Sequence, residues 1–104
     1  MSAIHLVKKN DPNLPPIKPV KEIGDGVFSS GDWFLSEARA TSLIGGKIFF
    51  HRTQKKPSFF GGIVTKVERS PAPDRFVFYF TYDPQCRGVS TSNDGWAMTM
   101  KYVP

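Results

Sequence analysis

The segment Arg75–Tyr82, of sequence RFVFYFTY, constrains the fold of this chain more than any other. Phe76, Phe78 and Phe80 recur with a period of two residues, which places them together on one face of a β-strand. The segment therefore predicts a strand with a strongly apolar face. An open sheet would leave such a face in water, so the rest of the domain is expected to cover it.

Further short strands are predicted on both sides of this segment, separated by turn-forming residues. They span residues 33–36, 47–52, 62–68 and 96–103, with a further edge strand at 4–7. The only good helix candidate is 37–44, with Ser36 as its N-cap and Gly45 as its C-terminal cap residue. This pattern of about five to six strands and a single short helix indicates a mainly β (α+β) fold, and we expect a small barrel.

Residues 1–30 differ in composition from the remainder of the chain. Prolines stand at positions 12, 15, 16 and 19, and proline fixes φ and removes a backbone hydrogen-bond donor. We interpret residues 1–30 as a proline-containing arm that lies over the domain or over a partner. Residues 31–104 are then a single β-barrel domain, which a chain of 104 residues accommodates.

The charge of the chain favours an anionic partner, although many small basic domains bind no particular polyanion. The formal net charge is +5 and the isoelectric point is about 9.6. Cys86 is the single cysteine, which excludes an internal disulfide and predicts a reducing, cytoplasmic setting. No apolar run approaches the roughly 18–20 residues of a membrane span, and a signal peptide is not recognisable.

The sequence carries no catalytic motif. No serine lies in a nucleophile elbow, the nine acidic residues are scattered, and the two histidines are too far apart in sequence for a recognisable metal motif. The pairs Gly45-Gly46 and Gly61-Gly62 are typical of strand-end turns or bulges and not of a phosphate-binding loop. We therefore expect no metal and no cofactor, and a binding protein before an enzyme. A small enzyme that uses His51 remains open.

A basic, aromatic-rich segment joins two of the predicted strands. Its cations and aromatic residues, with no acidic residue between positions 47 and 66, are Lys47, Arg52, Lys55, Lys56, Phe59 and Phe60. Cations contact phosphates and aromatic rings stack on bases, so the combination is typical of single-stranded or flipped-base recognition. The alternative is a solvated loop tip followed by core phenylalanines.

Other candidate ligand contacts lie beside this segment. Trp33, next to the helix, is our candidate for a pocket aromatic, and Arg39 and Arg87 are candidates for phosphate contacts; a core tryptophan and ordinary surface arginines are the alternatives. His51 either hydrogen-bonds a ligand and titrates near neutral pH, or is a half-buried histidine bonded to a backbone carbonyl.

The stretch from Trp33 to Glu68 resembles the PUA-like superfamily, especially its EVE and ASCH branches. The likeness rests on GKIFFH at 46–51, on Pro57 and on GGIVTKV at 61–67, beside family strands of type G-D-x-V-F-F-Y-H-S and G-I-A-x-V. The resemblance implies a small pseudobarrel that binds nucleic acid, often with a modified base in a pocket. By matching position, the residues implied to line the pocket are Trp33, Ser36, His51 and the loop from Gln54 to Phe60.

Two functions are therefore expected from different classes. The first is a non-enzymatic module that recognises nucleic acid or a modified nucleobase in a cleft between the helix and the 52–60 loop. The alternative is a protein-interaction or accessory domain, or a homodimer, that uses the N-terminal arm and has no role with nucleic acid. Neither function involves a membrane.

Overall fold

The computed structural model of the chain describes residues 2–7, 21–24, 26–97 and 99–104. The elements in chain order are β1 (Ala3–Val7), β2 (Lys21–Gly24), β3 (Val27–Phe34), α1 (Glu37–Ser42), β4 (Lys47–His51), β5 (Ser58–Arg69), β6 (Arg75–Tyr82), a 3₁₀ helix (Pro84–Cys86) and β7 (Met100–Val103). The predicted mainly β fold is confirmed, and β6 has the predicted bounds. No helix in these ranges is long and apolar enough to span a bilayer.

The strands form a single sheet in the order β2-β3-β6-β5-β4-β1-β7. Neighbouring strands are antiparallel except β1 and β4, which run parallel. β1 therefore lies inside the sheet, between β4 and β7, and not at an edge as the sequence suggested. The predicted arm of residues 1–30 is corrected accordingly, because β1, β2 and the first half of β3 fall within it. Its prolines lie outside the described residues.

Because β1 lies inside the sheet, shortening one of its buried side chains is expected to lower the stability of the fold slightly. Ile4 is fully buried, whereas Ile23, on the edge strand β2, is 51% exposed. Replacing Ile4 by valine is expected to lower the free energy of unfolding by about 1 kcal/mol, because a buried methylene is lost. The same change at Ile23 is the matched control and is expected to have little effect. Denaturant titration measures both, and equal effects would contradict the central position of β1.

The core lies on one face of the sheet and confirms the pattern of β6. Phe76, Phe78 and Phe80 are buried there together with Ile4, Leu6, Ile48, Phe50 and Val64 from the neighbouring strands. The helix α1 covers part of this face with Ala40 and Leu43. A helix of six residues is too short to be stable in isolation, so these apolar contacts hold it in place.

The ends of α1 agree in part with the sequence. Ser36 is the N-cap, and its Oγ accepts a hydrogen bond of 3.3 Å from the Arg39 N–H. The helix ends at Ser42, two residues earlier than predicted, since the chain turns at Gly45. There φ is 84°, and the Gly45 N–H donates to the Val64 carbonyl at 2.7 Å. Glycine adopts this left-handed conformation at little cost.

The sheet formed by the described strands does not close into a barrel, which corrects the predicted architecture. β2 and β7 are its two edges and are not paired with each other. Bulges in β3 and β5 curve the sheet instead, and the ring of Phe28 on β3 reaches Phe60 on β5 at 5.0 Å across β6. Curvature and α1 together cover the aromatic face, so closure by hydrogen bonds is not needed to bury it.

Several strand boundaries also differ from the prediction, and β3 spans Val27–Phe34 in place of residues 33–36. β5 begins at Ser58, so Phe59, Phe60 and the pair Gly61-Gly62 lie within the strand, and the loop is shortened to residues 52–57. At the C-terminus, regular pairing is confined to β7, because the Ala97 N–H donates to the Met100 carbonyl at 2.8 Å in a tight turn. Trp96 consequently lies before the strand and not in it.

Candidate functional site

The predicted site residues are divided between the two ends of β4 and β5. β4 begins soon after α1 and runs over five residues to His51, which lies about 13 Å from Lys47 at the usual rise per residue. Trp33 is opposite Phe76, which is opposite Arg69 at the end of β5, whereas His51 is opposite Ser58 at its start. The predicted cleft between the helix and the loop is therefore not formed, because a strand separates them.

At the helix end, the predicted contacts have structural partners. Trp33 is half-buried against the core, and its Nε1–H donates to the Ser30 hydroxyl at 3.0 Å. Ser36 is occupied as the N-cap, and the Arg39 guanidinium lies 4.9 Å from the centre of the Tyr102 ring. Lys47 is exposed at this end of β4.

At the other end, the structure brings several predicted cations together. We call this group the basic end, and it comprises the exposed residues Arg52, Lys55, Lys56 and Arg87, with the half-buried Phe59. The Arg52 guanidinium lies 5.0 Å from the centre of the Phe59 ring. The Gly88 N–H donates to the Ser58 carbonyl at 2.7 Å, which holds Arg87 beside the strand that carries Phe59.

The cations of the basic end have no carboxylate partner among the described residues, whereas the cations of β5 do. Lys66 pairs with Glu68 at 2.6 Å, and Arg69 pairs with Glu37 on α1. The loop itself contains no acidic residue, so within the described part of the chain these cations face no carboxylate.

Two further predicted residues of the loop segment are half-buried. Phe60 packs against the core, and its ring stacks on Tyr82 with 5.0 Å between centroids and 14° between planes. For Phe60, the alternative of a core phenylalanine is therefore what the structure shows. Gln54 is half-buried within the loop.

His51 is fully buried and does not reach the surface, which corrects its assignment as a ligand contact. Its Nδ1 lies 2.8 Å from the carbonyl oxygen of Lys56. The structure thus agrees with the alternative of a histidine bonded to a backbone carbonyl. Burial lowers the pKa of His51 from its usual value, although the bond to Lys56 acts in the opposite direction.

The structure adds three residues to this region that the sequence did not identify. His5 lies with its Nδ1 2.7 Å from Nε2 of His51, and its ring stacks on Phe49 at 4.6 Å. Trp96 covers the pair edge-on, 5.7 Å from the His51 ring. Lys101 is opposite His5 on β7, is buried, and donates through Nζ to the Ser92 carbonyl and hydroxyl at 2.9 Å each.

The environment of His5 strongly favours the neutral ring. Burial, followed by the neighbouring His51 and the charge of Lys101, lowers the pKa of His5 to about 4. The sequence contains no signal that β1 pairs in parallel with β4, so the two histidines were not placed together.

The described residues offer little for metal or nucleophilic chemistry. They contain no group of three or more possible metal ligands. Cys86 is buried, and burial raises the pKa of its thiol, which therefore stays protonated. Its Sγ lies 3.7 Å from the Gly62 carbonyl oxygen inside the sheet.

Comparison with protein-family models, with curated proteins and with solved structures returned no match. The resemblance to PUA-like domains stays a prediction. The fold and the basic end therefore define the class of protein: a small, curved, mainly β domain with a cluster of cations at one end of its strands.

Proposed function

We propose that this chain is a non-enzymatic binding module that recognises single-stranded nucleic acid through the basic end. The observation that carries the proposal is the exposed Arg52 guanidinium over the half-buried Phe59 ring, beside cations that have no carboxylate partner among the described residues. The PUA-like resemblance is in keeping with the proposal and forms part of it. The site differs from the cleft expected from sequence, since the helix makes no contribution.

The chemistry of the basic end suits an unpaired strand better than a regular duplex. A guanidinium plane supported by an aromatic ring offers its other face to a base, and flat stacking of this kind is available to unpaired bases. Lys55 and Lys56 are exposed at the tip of the same loop and supply charge for phosphates. Recognition by stacking and charge tolerates many sequences, so weak base preference is expected.

The salt dependence of binding tests this proposal. The double substitution Lys55→Gln/Lys56→Gln is expected to reduce the slope of log affinity against log salt by about 1.4, because each phosphate contact in a single strand contributes about 0.7. Fluorescence anisotropy with labelled DNA and RNA strands of about 12 nucleotides, between 50 and 200 mM salt, measures the slope.

A double variant with the same change of charge is the control. Lys47→Gln/Lys66→Gln removes two exposed cations that lie away from the basic end. We expect this variant to keep the wild-type slope. No binding at low salt, affinity that does not vary with salt, or equal losses in the two double variants would refute the proposed function.

The protein-interaction alternative also remains a proposal, and the structure changes how it is tested. Deleting residues 1–30 would remove β1 from the middle of the sheet, and loss of binding would then report unfolding. A deletion of residues 9–19, bridged by a flexible linker, leaves the described strands intact. Loss of a protein partner in a pull-down, with unchanged oligonucleotide binding, would assign the interaction to that segment.

A further inference from the structure

A directed chain of two hydrogen bonds runs from β1 to the loop of the basic end. The carbonyl of Lys56 only accepts, so His51 donates to it from Nδ1 at 2.8 Å. In the neutral ring Nε2 of His51 is then an acceptor, and His5 donates to it from Nδ1 at 2.7 Å. The Lys56 carbonyl oxygen thus fixes the tautomer of neutral His51, and His51 in turn fixes the tautomer of neutral His5. The contact between the two rings is buried.

The bond from His51 is well placed to hold the loop. Within the loop, the Lys56 N–H reaches the Thr53 carbonyl only at 3.3 Å, which is long for a hydrogen bond between amides. Residues 52, 53, 55, 56 and 57 are exposed, so they contribute little apolar burial. The carbonyl between Lys56 and Pro57 is, by contrast, bonded to a ring that is itself fully buried.

We propose that His5 and His51 form a positioning pair, which holds the Lys56 carbonyl and thereby presents Lys55 and Lys56 at the basic end. The consequence for ligand binding rests on the proposed function, whereas the effect on the loop does not. Neither histidine touches the ligand in this scheme. They act through the backbone of the loop.

The pair tolerates one added proton and not two. With one, His51 donates from both nitrogens, and His5 accepts at Nδ1 in its other tautomer. With two, N–H groups face each other across 2.7 Å, and the pair separates. Among the described residues, the charged group that faces the pair is Lys101 on β7, which opposes protonation of His5; Phe49 and Trp96 add no charge.

Two substitutions at the same position separate anchoring from packing. His51→Asn keeps an N–H near the position of Nδ1, and His51→Phe keeps the ring volume but has no donor. Limited trypsin digestion at neutral pH, followed by mass spectrometry, measures cleavage after Arg52 and Lys55. We expect cleavage in the loop to rise about 5- to 10-fold in His51→Phe, as for loss of one hydrogen bond, and to stay near wild type in His51→Asn.

An internal reference distinguishes local release from unfolding. Lys66 lies within β5, three residues before its end, and is paired with Tyr79 of β6, so cleavage after it requires the sheet to open. We expect that rate to rise much less than cleavage in the loop. Equal increases at both places in His51→Phe, or no increase in the loop, would overturn the positioning role.

The pH dependence of the loop's NMR signals tests the hydrogen-bonded pair separately from its packing, because packing alone would not couple these signals to histidine protonation. In NMR titrations, the amide signals of Lys55 and Lys56 are expected to shift with the second histidine protonation. His5→Asn removes one titrating ring, and its amide either donates to or accepts from His51, so the acid-induced shift is expected to disappear. Amide signals of Lys55 and Lys56 that do not change as the histidines titrate, or an unchanged acid-induced shift in His5→Asn, would contradict the proposal.

The two proposals fail in distinguishable ways. Oligonucleotide affinity in His51→Phe is expected to fall about 5-fold, in line with the looser loop. If the loop loosens but no variant or wild-type protein binds oligonucleotide, the proposed function fails and the positioning pair stands. If binding is salt-dependent but His51→Phe matches wild type in cleavage and affinity, the positioning pair fails alone.

Discussion

Gly62→Ala is expected to lower the free energy of unfolding by about 3 kcal/mol or more, because the sheet has no room for a methyl group there. A Cβ at this position would overlap the carbonyl oxygen of Thr81 and lie 2.9 Å from Cδ2 of Phe80. The Thr81 oxygen belongs to the backbone of β6, next to the pairing of Gly62 with Tyr82. The Thr81 oxygen therefore cannot move away without disturbing the pairing of β5 with β6, which is the longest among the described strands.

The neighbouring glycine meets the same limit on the other side of β5. A Cβ on Gly61 would overlap the Ile48 carbonyl oxygen of β4 and lie 2.9 Å from Cβ of Cys86. Both flanking strands thus approach β5 more closely than side chains permit. This is the reason for a glycine pair inside a strand, where glycine otherwise weakens packing.

The control for this prediction is the same substitution where space is available. An added Cβ on Gly24 has nothing within 4 Å, and the residue is on the edge strand β2. Gly24→Ala is expected to be neutral or slightly stabilising, through the unfolded chain. Denaturant titration followed by tryptophan fluorescence measures both variants. A loss below about 1 kcal/mol in Gly62→Ala would contradict the close approach of β5 and β6.

The second large effect is acid destabilisation through His5. Its pKa is about 4 in the folded protein and about 6.5 in an unfolded chain, so the unfolded state binds more protons between these values. The contribution of His5 to the free energy of unfolding is therefore complete above pH 6.5 and falls as the pH drops from 6.5 toward 4. Below pH 4 this group causes no further change. The expected loss is about 3 kcal/mol, since each pKa unit corresponds to about 1.4 kcal/mol.

Comparison with a variant isolates this contribution from those of the carboxyl groups. His5→Phe retains a ring that stacks on Phe49 but removes the titrating group. The variant is expected to differ in stability at neutral pH, and its stability curve is expected to be flatter between pH 6.5 and 4. The free energy of unfolding, measured by denaturant titration across this range, tests the prediction. Parallel curves for the two proteins would show that folding does not lower the pKa of His5, which would contradict the prediction.

Local patterns were sufficient to predict several elements correctly. The alternation in Arg75–Tyr82 predicted both the bounds of β6 and its buried face, and Ser36 was recognised as a helix cap from residue type alone. These features depend on near neighbours in the chain. Arg52, Lys55 and Lys56 lie close together because residues of one loop remain together in any fold that keeps the loop, whereas only the fold brings Arg87 beside β5.

The errors have a common physical origin in contacts between distant segments. Trp33 and His51 were placed in one pocket, but the register of β3, β6 and β5 separates them by the length of a strand. The glycine pair was assigned to a strand end, because the proximity of Thr81 and Ile48 is a property of neighbouring strands. Closure was expected because the contribution of bulges to curvature cannot be derived from composition.

The sequence by itself determined a mainly β chain with one short helix, a basic aromatic loop, and a cysteine without a partner. The tertiary structure alone decided that residues 3–7 form an inner strand, parallel to β4. Parallel pairing joins segments that are more than 40 residues apart here, and no turn between them records it. That pairing buries His5 against His51 and connects the N-terminal strand to the loop, so the most specific chemistry of the molecule arises only on folding.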